Sequence, residues 1–129
     1  MISFQVIGRP APQGSKKSIG NNRFVETSKY LPAWRAAVTE AAKAAIPDDF
    51  VLFDCPVGVS MNFFIERPKN PKFIYPAVAP DASKLQRAVE DALTGVVWAD
   101  DARVVEWHGS ENYCEANEEP GVFIAVWAL

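Results

Sequence analysis

Five carboxylates within residues 79–105 have the types and spacing to bind a metal cation: Asp81, Glu90, Asp91, Asp100 and Asp101. Neighbouring carboxylates repel one another and raise each other's pKa unless a cation neutralises them. A few carboxylate oxygens, completed by water, are the ligands that Mg²⁺ prefers. If the chain folds back so that Asp81 meets Asp101, this stretch forms a divalent-metal site. Such a site suits phosphodiester hydrolysis, because the metal activates water and offsets the charge building on the phosphate.

Each acidic position also has a purely structural explanation. Asp81 or Ser83 would cap a helix, since both residue types accept hydrogen bonds from the first helical N–H groups. Arg87 and Asp91 would form an exposed ion pair, worth about 0.3 kcal/mol. The pair Asp100–Asp101 would be a turn. The structural alternative stays open for each residue alone, and the concentration of all of them favours a function.

A helix over residues 83–94 would position these groups. Its apolar residues recur with helical spacing, and Gly95 is a typical residue just past a helix end. Lys84, Arg87 and Asp91 fall on the polar arc, three and four residues apart, so that their side chains can meet. The apolar arc consists of Leu85, Ala88, Val89, Ala92 and Leu93.

The remaining elements follow from apolar periodicity and from the placement of Gly and Pro. The order predicts an α+β fold, with a mixed β-sheet and two main helices on one face, as a single domain over residues 1–129. The predicted elements are a strand at 2–7, an exposed loop at 8–24, a helix at 28–46 capped by Thr27 or Ser28, a strand at 56–66, an irregular loop at 67–80, a strand at 102–109, an acidic turn at 110–121 and a strand at 122–129 buried on both faces.

The stretch "PDASKLQRAVEDALTGVVWADDARVV" resembles the signature of the RusA-type Holliday junction resolvases, small endonucleases of bacteria and their phages. That signature runs Pro-Asp-x-Asp-Asn-Leu-x-Lys, then Asp-Ala-Leu, then an Asp-Asp pair before a strand. The stretches "GRPAPQGSKK" and "AWRAAV" are similar to the N-terminal part of the family. The resemblance implies a RusA-like fold and a Mg²⁺-dependent crossover junction endodeoxyribonuclease, with Mn²⁺ as a possible substitute. Its role would lie in recombination, repair or phage DNA processing.

Matched position by position, the resemblance implies roles for five residues. Asp81 is the first acidic ligand, and Asp100 and Asp101 are the Asp-Asp pair, with Asp101 at the position that the family treats as essential. All three would hold the metal. Asp91 is the Asp of Asp-Ala-Leu, and it would orient Arg87 or complete the site. Arg87 stands at the family's essential Lys and would stabilise the phosphate or the leaving group.

Two positions depart from the signature. Ser83 replaces the second Asp, and Lys84 replaces the Asn that follows it. A hydroxyl is a poor metal ligand beside a carboxylate, so we expect weaker Mg²⁺ binding and expect Ser83→Asp to tighten it. Arg87 also cannot lose a proton as a Lys can. The alternative function is therefore a catalytically weakened or non-cleaving protein that binds branched DNA.

Charge is distributed unevenly along the chain, which carries +5 over residues 1–46 and −7 over residues 81–129. A basic half favours a polyanion partner, and two oppositely charged solvated faces are the alternative. Phe73 and Tyr75 lie among the cations of the second loop, where an aromatic side chain could stack on unpaired bases. The alternative is that both rings pack against the core. Arg9 flanks the first loop, and the predicted DNA-binding residues are Lys16, Lys17, Arg23, Lys29, Arg67, Lys69, Lys72 and Lys84.

Other features narrow the class of protein. Two cysteines and one histidine cannot supply a structural zinc site, and His108 has no identifiable nucleophile beside it. The first ten residues lack the pattern of a signal peptide and no apolar run could span a membrane, so we expect a cytoplasmic protein of a bacterial or phage-infected cell. A four-way junction has two-fold symmetry, so we expect a homodimer with the tryptophans in its core or interface. A carboxylate-pair sugar hydrolase is a third hypothesis, which the basic loops disfavour.

Overall fold

The computed structural model describes residues 1–14, 16–20, 23–26 and 29–129, with segments 16–20 and 23–26 described by their backbone alone. No helix in these ranges combines the length and the apolar character that crossing a membrane requires. The elements are β1 (Ile2–Ile7), β2 (Lys16–Gly20), β3 (Arg23–Glu26), α1 (Leu31–Ala45), β4 (Val57–Ile65), α2 (Ala82–Leu93), a 3₁₀ turn (Asp101–Arg103), β5 (Val104–Tyr113) and β6 (Gly121–Ala128).

Four strands form one mixed sheet in the order β1-β6-β4-β5. β6 is antiparallel to both β1 and β4, whereas β5 is parallel to β4. Parallel neighbours need a crossover connection, and here the crossover from β4 to β5 contains α2. The acidic stretch therefore belongs to the segment that connects the two parallel strands. The α+β fold with a mixed sheet and two helices is confirmed.

One face of the sheet and both helices bury the apolar core. The alternation predicted for β4 is confirmed, because Val57, Val59, Met61 and Phe63 are all buried. The apolar arc predicted for α2 is buried at every position, as are Leu31, Trp34, Val38 and Ala42 of α1. The two helices also contact each other directly, since Thr39 Oγ1 donates a hydrogen bond to the carbonyl oxygen of Ala92 at 3.0 Å.

The first loop is more structured than its sequence indicates. Residues 16–26 contain the antiparallel pair β2–β3, which forms a two-stranded sheet of its own. Both strands are short and contribute nothing to the main sheet, so the alternation that marks a core strand is missing. α1 begins later than predicted, with Tyr30 in the N-cap position. The predicted caps Thr27 and Ser28 lie outside the described residues.

Two predictions in the C-terminal third are wrong. The expected acidic turn at 110–121 is shorter, because β5 continues to Tyr113. β6 is buried on one face only, since Val122, Ile124 and Val126 are buried whereas Phe123 is 49% exposed. β5 is longer than predicted because its pairing with β4 continues to Ile65 and Tyr113. β6 is exposed on one face because the outer face of the sheet carries no helix over the described residues. An apolar run can therefore lie in a strand that is covered on one side.

Gly58 on this outer face is expected to resist substitution. It pairs with Trp127 of β6, and a β-carbon at Gly58 would lie 2.5 Å from Trp127 Cε2. Gly58→Ala should therefore destabilise the protein by about 1–3 kcal/mol, measured by urea unfolding. Ser60→Ala, on the same face of β4, is the matched control. In a double-mutant cycle, Trp127→Ala should remove most of the cost; additive costs would contradict this explanation.

Candidate active site

Asp81 stands at the N-terminus of α2 without capping it. Its backbone is extended in the N-cap position, and its side chain makes no capping hydrogen bond. The carboxylate is 62% exposed and lies 4.0 Å from Lys84 Nζ. Apart from this ion pair with Lys84, the local fold does not use the Asp81 carboxylate, so its predicted role as a cap is wrong. The carboxylate is available to a ligand instead.

A cavity of about 750 Å³ opens beside Asp81. Its walls come from the segment after β1, the start of α1, the second loop and the first turn of α2. Arg9 stacks on one wall, with its guanidinium carbon 3.7 Å from the centre of the Tyr30 ring. The cations that line this cavity are Arg9, Arg67, Lys69 and Lys84. Cations distant in the sequence thus lie around two carboxylates, Asp81 and Glu66.

The other predicted DNA-binding residues do not line this cavity or have side chains outside the described residues. Lys29 contacts the same Tyr30 ring, with Nζ 5.2 Å from its centre. Lys72 lies in the second loop, 5.5 Å from the centre of the Phe73 ring. Phe73 is 48% and Tyr75 64% exposed, so the alternative that both rings pack against the core is wrong. The side chains of Lys16, Lys17 and Arg23 lie outside the described residues.

Arg87 lies against the first loop. The backbone N–H of Gln13 donates to the carbonyl oxygen of Lys84 at 3.0 Å, and a β-carbon at Gly14 would lie 4.0 Å from Arg87 Nη1. Within the described part of the chain, Arg87 makes no ion pair with Asp91. The predicted contact between these two side chains is therefore not formed, and Arg87 faces the loop instead.

A second acidic group lies at the other end of α2. Asp100 accepts a hydrogen bond from the Ala102 N–H at 2.9 Å. This bond is the main cause of a lowered pKa at Asp100, and a hydrogen bond with the Asp101 side chain contributes less. Burial raises the pKa of Glu90, the charges of Asp101 and Asp91 raise it further, and a hydrogen bond from Trp107 opposes them. Asp91, Asp100 and Asp101 therefore belong to one negative region.

The two acidic groups do not meet within one chain. α2 has 12 residues and so is about 18 Å long, with Asp81 at its start and the group around Glu90 and Asp101 at its end. Among the residues that the structure describes, no three His, Cys, Asp or Glu side chains form a group that could hold a metal. The expectation that Asp81 converges with Asp100 and Asp101 in a single chain is not met.

Glu111 is a candidate site residue that was not predicted from the sequence. It pairs with Phe63 in the parallel register of β4 and β5, so its side chain lies on the same inner face as the buried Phe63 ring. Burial, and then the charge of Asp81, raise the pKa of Glu111 to about 7. Its Oε2 atom is buried without a hydrogen-bond partner. The sequence signal was the alternation of Trp107, Gly109 and Glu111, which continues the predicted strand at 102–109 into the segment predicted as an acidic turn.

His108 lies on the opposite face of the sheet from Glu111. Its Nε2 lies 2.6 Å from Glu106 Oε1, and its ring contacts Trp127 at 5.9 Å between centroids. Trp34 and Trp98 are fully buried, as expected of core residues, whereas Trp107 is 52% exposed. The contacts of His108 with Glu106 and Trp127 give it a structural role in the sheet.

The family model described as Endodeoxyribonuclease RusA matches residues 7–127, nearly the whole chain. No individually curated protein matches the sequence. The matched region includes β4, α2, the Asp100–Asp101 turn and the strands β5 and β6 that hold them. The chain therefore belongs to the RusA endodeoxyribonuclease family.

Proposed function

We propose that this protein is a divalent-metal-dependent endonuclease that cuts four-way DNA junctions as a homodimer. The observation that carries the proposal is the cavity in which Asp81 lies among cations from separate segments of the chain. Membership of the RusA endodeoxyribonuclease family supports DNA as the substrate. The Lys and Arg side chains of the cavity bind the phosphates of the DNA strand, and the Asp81 carboxylate lies where one phosphodiester is cut.

The residues present fit a hard divalent cation such as Mg²⁺ or Mn²⁺. Asp81 makes no cap hydrogen bond, and Glu111 Oε2 is a buried oxygen without a partner. Carboxylate oxygens are the donors that such cations prefer. A bound cation would supply an activated water and would offset negative charge on the phosphate. The proposed ligands are Asp81 and, from a second copy of the chain, Asp100 and Asp101.

The remaining site residues act on the DNA. Arg9 and Lys84 hold the phosphate next to Asp81, and the stacked Tyr30 ring fixes the Arg9 guanidinium in place. Arg87 stabilises the charge that develops on the phosphate or on the leaving oxygen. Asp91 contributes to the negative region around Asp101, because its predicted contact with Arg87 is not formed.

The two-fold symmetry of a four-way junction is the first argument for a homodimer. The separation of the acidic groups gives a second one. Since Asp81 and the Asp100–Asp101 turn lie at opposite ends of α2, a site that uses both would need the turn of a second copy. The exposed outer-face residue Phe123, which contacts Phe64, and Trp127 further along the same face of β6 offer apolar surface for such an interface.

A synthetic four-way junction and a linear duplex of the same sequence test the proposal. We expect tighter binding to the junction, cleavage only with Mg²⁺ or Mn²⁺, and affinity that falls steeply with salt. Each phosphate contact contributes about −0.9 to the slope of log K against log salt on duplex DNA. Arg67→Ala with Lys69→Ala should therefore make the slope shallower by about 1–2.

The matched control is Arg35→Ala with Lys43→Ala, which removes two cations of α1 that do not line the cavity. This control should leave the salt slope close to that of the parent. Equal affinity for junction and duplex in a gel-shift titration would contradict junction recognition. An unchanged slope in the Arg67–Lys69 variant would remove the cavity from the DNA-binding surface.

A non-cleaving junction-binding protein is the second candidate. Two observations favour it, namely Ser83 at the place of an acidic signature residue and the lack of a three-ligand group within the described residues of one chain. Junction binding at full affinity with no cleavage in Mg²⁺ or Mn²⁺ would select this candidate.

A further inference from the structure

The inward-facing residues of β5 lie along α2 from its C-terminal to its N-terminal end. At the C-terminal end, Trp107 Nε1 donates a hydrogen bond to Glu90 Oε1 at 2.7 Å. The next inward position, Gly109, lies beside a cavity of about 220 Å³ that the first half of α2 lines. α2 therefore runs back along β5, and the inward position after Gly109, which is Glu111, reaches the level of Asp81.

Glu111 is unfavourable in this position without a ligand. Its Oε2 atom is buried and has no hydrogen-bond partner, and leaving a buried polar atom unpaired is destabilising. The neighbouring Asp81 carries the same charge, so it adds repulsion. A cation shared by the two carboxylates would pair the buried oxygen and remove the repulsion at once.

We propose that Glu111 is a ligand of the divalent cation together with Asp81, and that it supplies the carboxylate which the family signature places at Ser83. This inference rests on the proposed function, because it assigns a further ligand to the same site. Asp81 comes from the start of α2 and Glu111 from the adjacent strand, so the two carboxylates approach the cation from different elements.

Ser83 itself does not fill this place. It is exposed and lies about 200° around the helix from the buried Leu85, at two steps of about 100° per residue. The apolar arc of α2 faces the sheet, whereas Ser83 lies on the solvent side of the helix. A carboxylate from β5 can reach the buried side of Asp81, which a side chain at position 83 does not face.

Metal titration of the full-length protein tests this assignment. Mn²⁺ alone is titrated by calorimetry into the parent, Glu111→Gln, Asp81→Asn and Ser83→Asp. We expect Glu111→Gln and Asp81→Asn each to weaken Mn²⁺ binding by about 10- to 100-fold, and Ser83→Asp to change it little. Thermal unfolding gives a second readout, since Mn²⁺ should raise the midpoint of the parent and not that of Glu111→Gln.

Glu106→Gln is the matched control, because Glu106 lies in the same strand on the opposite face and pairs with His108. Without metal, Glu111→Gln should be at least as stable as the parent, because it removes the repulsion with Asp81, so a folding defect does not account for lost binding. Parent-like Mn²⁺ affinity in Glu111→Gln, with loss in Asp81→Asn, overturns this inference and leaves the proposed function intact. A parent protein that neither binds Mn²⁺ nor cuts a junction overturns both.

Discussion

Asp81→Asn is expected to lower the rate of junction cleavage by at least about 100-fold, the loss seen when one charge-stabilising group of an active site is removed. The amide cannot replace the carboxylate as a ligand for a divalent cation. Folding should be unaffected, because the Asp81 side chain is 62% exposed and makes no capping hydrogen bond. Binding to the junction should stay equal or become tighter, since a negative charge next to the phosphate is removed.

Single-turnover cleavage with Mg²⁺, together with a gel-shift titration, measures both effects. Asp48→Asn is the control, because Asp48 is an exposed carboxylate in the turn after α1. A parent-like cleavage rate in Asp81→Asn would move the chemistry to the Asp100–Asp101 end of α2. A joint loss of binding and cleavage would indicate that Asp81 supports the fold of the cavity rather than the reaction.

Mixing two inactive variants is expected to restore cleavage. Asp81→Asn and Asp101→Asn should each be inactive as homodimers. If the site joins Asp81 of one subunit to Asp101 of the other, a heterodimer has one intact site and one site with both substitutions. After subunit exchange at equal amounts, half of the dimers are heterodimers, so roughly a quarter of the parent's sites should be active.

The DNA product of the mixed sample shows whether each active site is shared between two subunits or lies within one chain. One intact site per heterodimer should nick a single strand of the junction instead of making paired cuts. If both aspartates act within one chain, each site of the heterodimer carries one substitution and no activity returns. Light scattering supplies the control, because a particle of the single-chain mass of 14.2 kDa at micromolar concentration would exclude the homodimer itself.

The best-predicted elements were those whose apolar residues recur with a regular local spacing. The apolar positions of α2, from Leu85 to Leu93, are all buried, because helical spacing alone decides which side faces the core. The same holds for the alternation of β4. Phe123 and Glu111 were misplaced because their burial depends on which strands and helices lie opposite, and no local pattern contains that information.

The candidate site was predictable in its composition but not in its arrangement. Asp81, Lys84, Arg67 and Lys69 were predicted as site residues, and the structure brings them to one cavity. The spacing between Asp81 and Asp101 did not reveal that a straight helix keeps them apart. Arg9 and Tyr30 acquire their contact only through tertiary folding, since they are distant in the chain.

The parallel pairing of β4 with β5 also affects how the protein folds. Val57 pairs with Val104, so the pair closes only after a long segment containing α2 has been ordered. Pairings between positions far apart in the chain slow folding, because the loss of chain entropy precedes the gain from the contact. The contact between Asp81 and Glu111 depends on this same long-range closure. A core substitution in the crossover should lower cleavage by reducing the folded population, while each folded molecule keeps its full rate.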